Sequence, residues 1–262
     1  MKYFRIFLLN AQDTIQQRTR SFIWFLIAFL NPFILLMFWG GALEGGKIIG
    51  GWDSTSMQTY YLLAIICQSV LIHHVEITVA DEDIRRGGLV RELLKPVSYI
   101  WLKLCHESPW RFVQGFFGFV VLMLFLAAGF SFNISHAPSI LLQALIISTL
   151  AFFLTFLFKL TVGLLAFWMT DIYGIIEPNE VLILTFSGVF MPFDLMPVWI
   201  QQAGQYTPYP YIVYYPVVAF MGRDGINFYQ IMFIQLLWIL GFYALYRVLW
   251  SGGVKKFSGV GQ

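Results

Sequence analysis

His73, His74 and Glu76 come closest to a chemical constellation in this 262-residue chain. His73 and Glu76 are three apart, so on a helix they share a face, and a metal pair there is geometrically possible. A structural or catalytic zinc site takes three or four protein ligands. The other two histidines, His106 and His136, fall on opposite sides of the membrane in the topology read below. The expectation is therefore polar contact between helices, or anchoring at a helix end, and no metal. No Gly-rich phosphate loop, nucleophile elbow or GxxxxGK[ST] sequence occurs. The chain is not expected to be an enzyme by itself, nor to bind and hydrolyse ATP. Lys159 is the one charge well inside an apolar stretch, and an ionisable residue in a membrane span is by default a functional hypothesis. Its plainer roles are snorkelling or pairing with a buried partner such as Glu76, Asp171 or Glu177.

A second concentration of chemistry is "DEDIRRGGLVRELLKPVS", residues 81–98. Eight charged side chains sit in it: Asp81, Glu82, Asp83, Arg85, Arg86, Arg91, Glu92 and Lys95. "DEDIRR" reads as a helix continuing out of the apolar segment before it, and Gly87-Gly88 allow a sharp change of direction. "LVRELLK" then resumes with Leu89, Val90, Leu93, Leu94 and Val97 on an apolar face, until Pro96 stops it. A loop that only sets topology needs Lys and Arg alone. Three consecutive acids beside a Gly-broken amphipathic helix suit a docking surface, because mixed charge sets register and partner choice.

The elements that hold these residues are membrane helices. The chain is 59% hydrophobic and 11% charged, with 27 Phe and a mean hydropathy of +0.73, against about 25% charge in soluble domains. A net charge of +2, with no basic run interleaved with aromatics, excludes a nucleic-acid footprint. Cys67 and Cys105 lie in an apolar segment and a charged loop, so no disulfide framework is expected. Residues 1–20 place Phe4, Phe7, Leu8, Ala11 and Ile15 at helical spacing, the pattern of an amphipathic helix in the headgroup layer. Six spans follow: 21–43 with Pro32 inside, 57–80, 110–130, 139–170 with a bend near Gly163, one after "EPNE" (177–180) with Pro178 in its first turn, and 228–250. The first is read as a retained helix, not a signal peptide. The stretch 191–222 is apolar but holds Pro192, Pro197, Pro208, Pro210 and Pro216. Each interior proline breaks a helical hydrogen bond, so two short re-entrant half-helices fit better than one span. Five Tyr and Trp199 in it suit interfacial anchoring.

With both ends inside, the inside pieces hold thirteen of the Lys and Arg: Lys2, Arg5, Arg18, Arg20, Arg85, Arg86, Arg91, Lys95, Lys103, Arg111, Arg247, Lys255 and Lys256. The outside pieces hold only Lys47 and Arg223. That asymmetry orients the chain. The expected class is an all-α integral membrane protein of six transmembrane helices, forming one domain over 1–262.

"GGLVRELLKPVSYIW" resembles the cytoplasmic loop of type-2 ATP-binding-cassette (ABC) permeases, in the small six-helix branch of uncharacterised transport-system permeases. "AFWMTDIYG" (166–174), "SGVFMPFDLMPVWIQQAGQYTPYPYIVYYPVVAFMGR" (187–223) and "LYRVLWSGGVKKFSGVG" resemble the same branch, in the same order. The branch commonly carries an acidic residue where this chain has Gly88. The resemblance implies a dimer, homomeric or heteromeric, in the bacterial inner membrane, each half docking a cytoplasmic ATPase subunit that binds ATP-Mg. No cofactor is expected on the chain itself. It further implies that Arg85, Arg86, Gly87, Gly88, Leu89, Arg91, Glu92, Leu93, Lys95 and Pro96 couple to that ATPase, together with the N-terminal helix. Met191, Pro192, Phe193, Asp194 and Pro197 would belong to an external gate, and spans one, two and five would line the pathway. Most members are regarded as exporters, and a Phe-rich lining suits a hydrophobic or amphipathic substrate entering from membrane lipid. An ATP-independent secondary transporter or channel would instead show several intramembrane charges or an inverted repeat. One lysine and no repeat are found.

Overall fold

The structure, a computed structural model, describes residues 2–223, 225 and 227–257. Among them the chain is helical, with an isolated bridge between Ile49 and Trp52 as its only β-type pairing. The last residues of the 245–261 motif, 258–261, lie outside the described residues.

Helix α1 (Lys2–Gln16) packs on α6 (Tyr99–Ala127) through one seam and leaves its greasy side outward. Tyr3, Phe7, Asn10 and Thr14 follow helical spacing along that seam. Thr14 is buried, Phe7 meets Phe112 edge-on, and the Tyr3 hydroxyl accepts from the Ser98 backbone N–H at 3.3 Å. Asn10 has a specific task. Pro109 inside α6 has no N–H to offer the Cys105 carbonyl, and the Asn10 side chain donates to that carbonyl at 3.5 Å. Phe4, Leu8, Leu9 and Ile15 stay exposed on the far side, which suits a helix lying at a lipid interface.

Helix α2 (Arg18–Ala42) has 25 residues. Helix α3 (Ser54–Leu71) starts on a reciprocal cap: Asp53 accepts from the Ser56 N–H at 2.9 Å and its own N–H donates to the Ser56 hydroxyl at 3.0 Å. After a break it continues as α4 (Val75–Ile77) and a π-helical stretch, Thr78–Arg85. Then come α5 (Leu89–Leu93), α6, α7 (Pro138–Leu164), α8 (Tyr173–Phe186), α9 (Val198–Gly204), α10 (Tyr214–Met221) and α11 (Phe228–Lys256). Four helices among the described residues are long and apolar enough to cross a membrane: Ser54–Arg85, Tyr99–Ala127, Pro138–Phe167 and Phe228–Lys256. The protein is therefore a multi-pass membrane protein.

Several expectations are corrected. The third span begins at Tyr99, not near 110, so Lys103, Cys105, His106 and Arg111 stand on a helix and not in a loop. Lys103 and Arg111 are buried there, which removes them as votes for orientation. Helix α7 passes Gly163 and changes at Leu165 into a 3-10 turn (Leu165–Phe167), so the change of geometry expected near the glycine falls two residues after it. The glycine instead lets another segment approach. A Cβ at Gly163 would lie 2.8 Å from both Cα and O of Glu76. Pro178 sits inside α8, which begins at Tyr173. At 14 residues, α8 is roughly 21 Å long, short of the roughly 30 Å of a bilayer core.

In 191–222 the prolines divide the chain as their chemistry requires. Pro192 and Pro197 precede a 3-10 turn (Phe193–Leu195) and α9, Pro208 precedes and Pro210 stands inside a second 3-10 turn (Tyr209–Tyr211), and α10 is capped by Gly222 with φ 65°. Two short helices result, of seven and eight residues. Tyr211, Ile212, Val213, Val217 and Val218 are buried in the core, while Trp199 and Tyr206 face outward.

Candidate functional site

Three sites can be built from these elements, one at each end of the bundle and one inside it.

The inner site forms around a break in a span. Helix α3 stops at Leu71, and Ile72 is extended, with φ −86° and ψ 108°. No glycine or proline stands at the break. Side chains of α6 hold it open instead. Arg111 donates to the Ile72 carbonyl at 2.6 Å, Glu107 accepts from the His74 backbone N–H at 3.1 Å, and Arg111 and Glu107 pair at 2.9 Å. A buried backbone break is tolerated only when such partners take its freed groups. The resumed helix brings Glu76 against Gly163 of α7, one turn beyond Lys159. The Lys159 ammonium then lies 3.0 Å from Glu76 Oε1 and also contacts the Glu180 carboxylate from α8. Lys159 and Glu76 are fully buried, and Glu180 is 36% exposed.

Of the partners expected for Lys159, Glu76 is in contact. Glu180 is the partner missing from the sequence expectation, and Glu177, one turn away, is exposed and has no ion-pair partner among the described residues. His73 packs edge-on against Phe152, 4.5 Å between centroids, and stands 3.7 Å from Glu107. His73 and Glu76 therefore serve different clusters, and the shared face expected for them does not form because the chain is not helical between them. His74, Glu76 and Glu180 do offer ligand atoms within 4.8 Å of one another. The Lys159 ammonium fills the space between the two carboxylates, where an ion would have to stand.

At one end lies the charged loop. Gly87 takes φ +74°, open to glycine at little cost, and the Gly88 N–H donates to the Glu82 carbonyl at 3.1 Å. A Cβ at Gly88 would stand 2.6 Å from that carbonyl oxygen. The turn as it stands therefore has no room for the acidic residue that the resemblance implies at this position. The expected apolar face is corrected. Helix α5 spans five residues, and only Leu89 of its apolar set is buried; Val90, Leu93 and Leu94 are exposed, Leu94 at 81%. The buried side chains are acids. Asp83 pairs with Lys103 at 2.6 Å and accepts from the Tyr99 hydroxyl, and Glu92 pairs with Lys95 at 2.6 Å and Arg91 at 3.2 Å. Burial works against the Glu92 carboxylate, but Lys95, with Lys103 and Arg91 beside it, holds its pKa below the ordinary value. Arg85, Arg86, Arg91, Lys95 and Pro96 face outward. Beside the loop a cleft of about 600 Å³ opens between the start of α6 and α11, walled by Tyr99, Trp101, Tyr246 and Trp250.

The opposite end carries the proline-broken segment. Trp52 is fully buried and donates its indole N–H to both oxygens of Asp194 at 3.1 Å. The Arg223 guanidinium lies 3.7 Å from the centre of the Trp52 ring and 3.8 Å from Asp194. Gln201 donates to the Asp194 and Met196 carbonyls at 2.9 and 2.7 Å, and Tyr60 donates to the Gly188 carbonyl at 2.6 Å. Pro192 and Phe193 are buried, Met191 and Asp194 half-buried, and Pro197 exposed. The charged loop and this cluster are separated by the length of the Ser54–Arg85 span, so the two expected sites do not meet.

Comparison with known proteins gives one finding. No curated protein matches the chain. A family model described as ABC-2 family transporter protein matches residues 29–261, which takes in the charged loop, the inner ion cluster and the proline-broken segment. The chain belongs to the ABC-2 family of transporter proteins and is a membrane permease component.

Proposed function

We propose that this chain is one half of a dimeric exporter permease of six membrane crossings, with both termini on the cytoplasmic side of a bacterial inner membrane. The six crossings are α2, the broken span Ser54–Arg85, α6, α7, α8 with the apolar turn after it, and α11. The segment 191–222 is then re-entrant: its two short helices lend α8 the depth it lacks. The observation that carries the reading is the charged loop, which hangs directly from the π-helical end of a broken span.

An ATPase subunit docks on 85–96, with α1 alongside. The exposed surface there is Arg85, Arg86, Arg91, Leu93, Leu94 and Lys95, a mixed apolar and basic patch that suits an acidic partner with apolar side chains at its centre. Closure of the ATPase dimer pulls this loop. Asp83, tied to Lys103 of α6, keeps it from moving alone, and Glu92 with Lys95 braces the loop internally. The pull passes into Thr78–Arg85 and on to the Ile72–His74 break, where the span can hinge. Helix α8, attached to the same break through Lys159, moves with it. Residues 191–197 open at the far end. The coupling is thermodynamically real only if the ATPase contacts differ between the two states. The substrate is hydrophobic or amphipathic and enters from the membrane.

Arg91 and Leu94 are the right places to test this, since Glu92 is buried and its reversal would disturb folding. Arg91→Glu with Leu94→Asp should abolish co-purification of the ATPase and substrate-stimulated ATP hydrolysis, with folding intact. Full coupled activity in that variant overturns the docking assignment. A secondary transporter would work unchanged without any ATPase.

A further inference from the structure

From residue 160 to residue 222 the chain has no Lys or Arg, yet it carries Asp171, Glu177, Glu180 and Asp194. Asp194 is answered by Arg223 at the gate end. The two acids of α8 are not fully answered. Glu180 shares Lys159 with Glu76, and Glu107 is matched by Arg111. Around Lys159 there are thus two carboxylates against one fixed cation, with the balanced Glu107–Arg111 pair in the neighbouring cluster. Glu76 Oε2 is buried with no hydrogen-bond partner, so the deficit reaches into the protein interior. Glu177 is exposed and has no ion-pair partner among the described residues.

The geometry of α8 makes this deficit usable. Glu177 and Glu180 are neighbours on one edge of the helix, and Glu177, Val181 and Leu184 follow the i, i+4, i+7 spacing of a single face. Val181 is 60% and Leu184 39% exposed. Pro178 has no N–H to offer the Gly174 carbonyl one turn back, which leaves that acceptor without its usual helical donor. The result is an apolar stripe headed by two carboxylates and a carbonyl. Acceptors alone at the head of a greasy surface complement a cation with an apolar body.

We propose that α8 is a recognition surface for lipophilic organic cations, with Glu177 and Glu180 as the specificity-determining residues. The positive centre stands against Glu177 and Glu180, and its apolar body lies on Val181 and Leu184. Lys159 keeps Glu180 oriented and stops the inner carboxylates from collapsing onto the ligand. Anionic amphiphiles, including acidic lipid headgroups, are repelled. This rests on the permease reading for its biological meaning, since it makes such cations the transported class, but binding itself needs no ATPase.

The test is equilibrium binding to the full chain in nanodiscs of neutral phosphatidylcholine. The probes are tetraphenylphosphonium and tetraphenylborate, which match in size and differ in sign. Each is corrected for empty discs. Wild type should prefer the cation by about tenfold, the scale of one partly screened charge contact. Glu177→Gln should erase most of that preference, and Glu177→Asp should keep it. Glu180→Gln should weaken it while Lys159 remains paired with Glu76. Equal binding of the two ions by wild type overturns the proposal, as would happen if a second copy of the chain covered this face. So does a Glu177→Gln protein that still prefers the cation. Failure of ATPase co-purification would sink the permease reading and leave this result standing.

Discussion

The Trp52 indole N–H is shared between the two oxygens of Asp194, 3.1 Å from each, and Arg223 covers the face of the same indole. One aromatic ring therefore ties the loop before α3 to the proline-broken segment and to the end of α10. Burial pushes the Asp194 carboxyl above its ordinary pKa, against the pull of Arg223 and the Trp52 N–H. A raised acid contributes stability that is present at low pH and lost as pH rises through its folded value. Asp194→Asn keeps an acceptor for the indole and should change stability by no more than about 1 kcal/mol at neutral pH. As the pH falls through the carboxylate range, wild type should gain on that variant in thermal unfolding. Trp52→Phe removes the donor and should cost about 1–3 kcal/mol. Equal unfolding of Trp52→Phe and wild type would show that the tie bears no stability.

The inner cluster makes a different prediction, because its members are buried charges. Lys159→Met leaves Glu76 buried without its counter-ion, a loss of about 3–5 kcal/mol. Adding Glu76→Gln and Glu180→Gln removes both carboxylates that needed the lysine. Most of the stability should return, since replacing a whole buried ion group is often neutral. Thermal unfolding of the single and triple variants decides it. A triple variant no better than Lys159→Met would mean that packing of the lysine stem, not charge, holds the three helices together.

The legible part of the fold is local in origin. Apolar length marked the long helices, helical spacing marked α1, and the prolines of 191–222 forced two short helices because each removes an N–H donor. The break at Ile72–His74 has no such mark. It exists because Glu107 and Arg111, more than thirty residues later, take the freed backbone groups. The same distance hid the start of α6. Lys103, Glu107 and Arg111 look like loop charges until their partners Asp83, His74 and Ile72 are beside them. In α5 the leucine pattern misled for a related reason: five residues are too few for an apolar face to decide orientation, and the paired carboxylates of Asp83 and Glu92 decided it.

Gly88 should be the least replaceable residue of the charged loop. Its backbone conformation, φ −59° and ψ −21°, is open to any residue, so the constraint is space and not strain. A methyl group there meets the Glu82 carbonyl, and relieving the contact must shift the turn. Gly88→Ala should cost about 1–3 kcal/mol and lower coupled ATP hydrolysis. Gly87→Ala, forced into left-handed backbone at φ +74°, should cost about 1–2 kcal/mol. If Gly88→Asp instead raises coupling, the turn has a second conformation that accepts an acid at this position.

Acidification should release the loop through Glu92. Its carboxyl is held below the ordinary pKa by Lys95 despite burial. A lowered acid contributes stability that is full above the usual glutamate range and disappears as pH falls through the folded value. Lys95 is 42% and Arg91 80% exposed, and solvent screening of both partners limits the pair to about 1 kcal/mol. At neutral pH wild type should exceed Glu92→Gln by that amount in thermal unfolding, and the difference should close on the acid side of the glutamate range. The variant should show a flatter acid limb, while Arg91→Gln, which leaves the closer Lys95 contact in place, should keep the wild-type profile. A wild-type advantage that persists undiminished at acid pH would place the stabilising role of residue 92 in its packing and not in its charge.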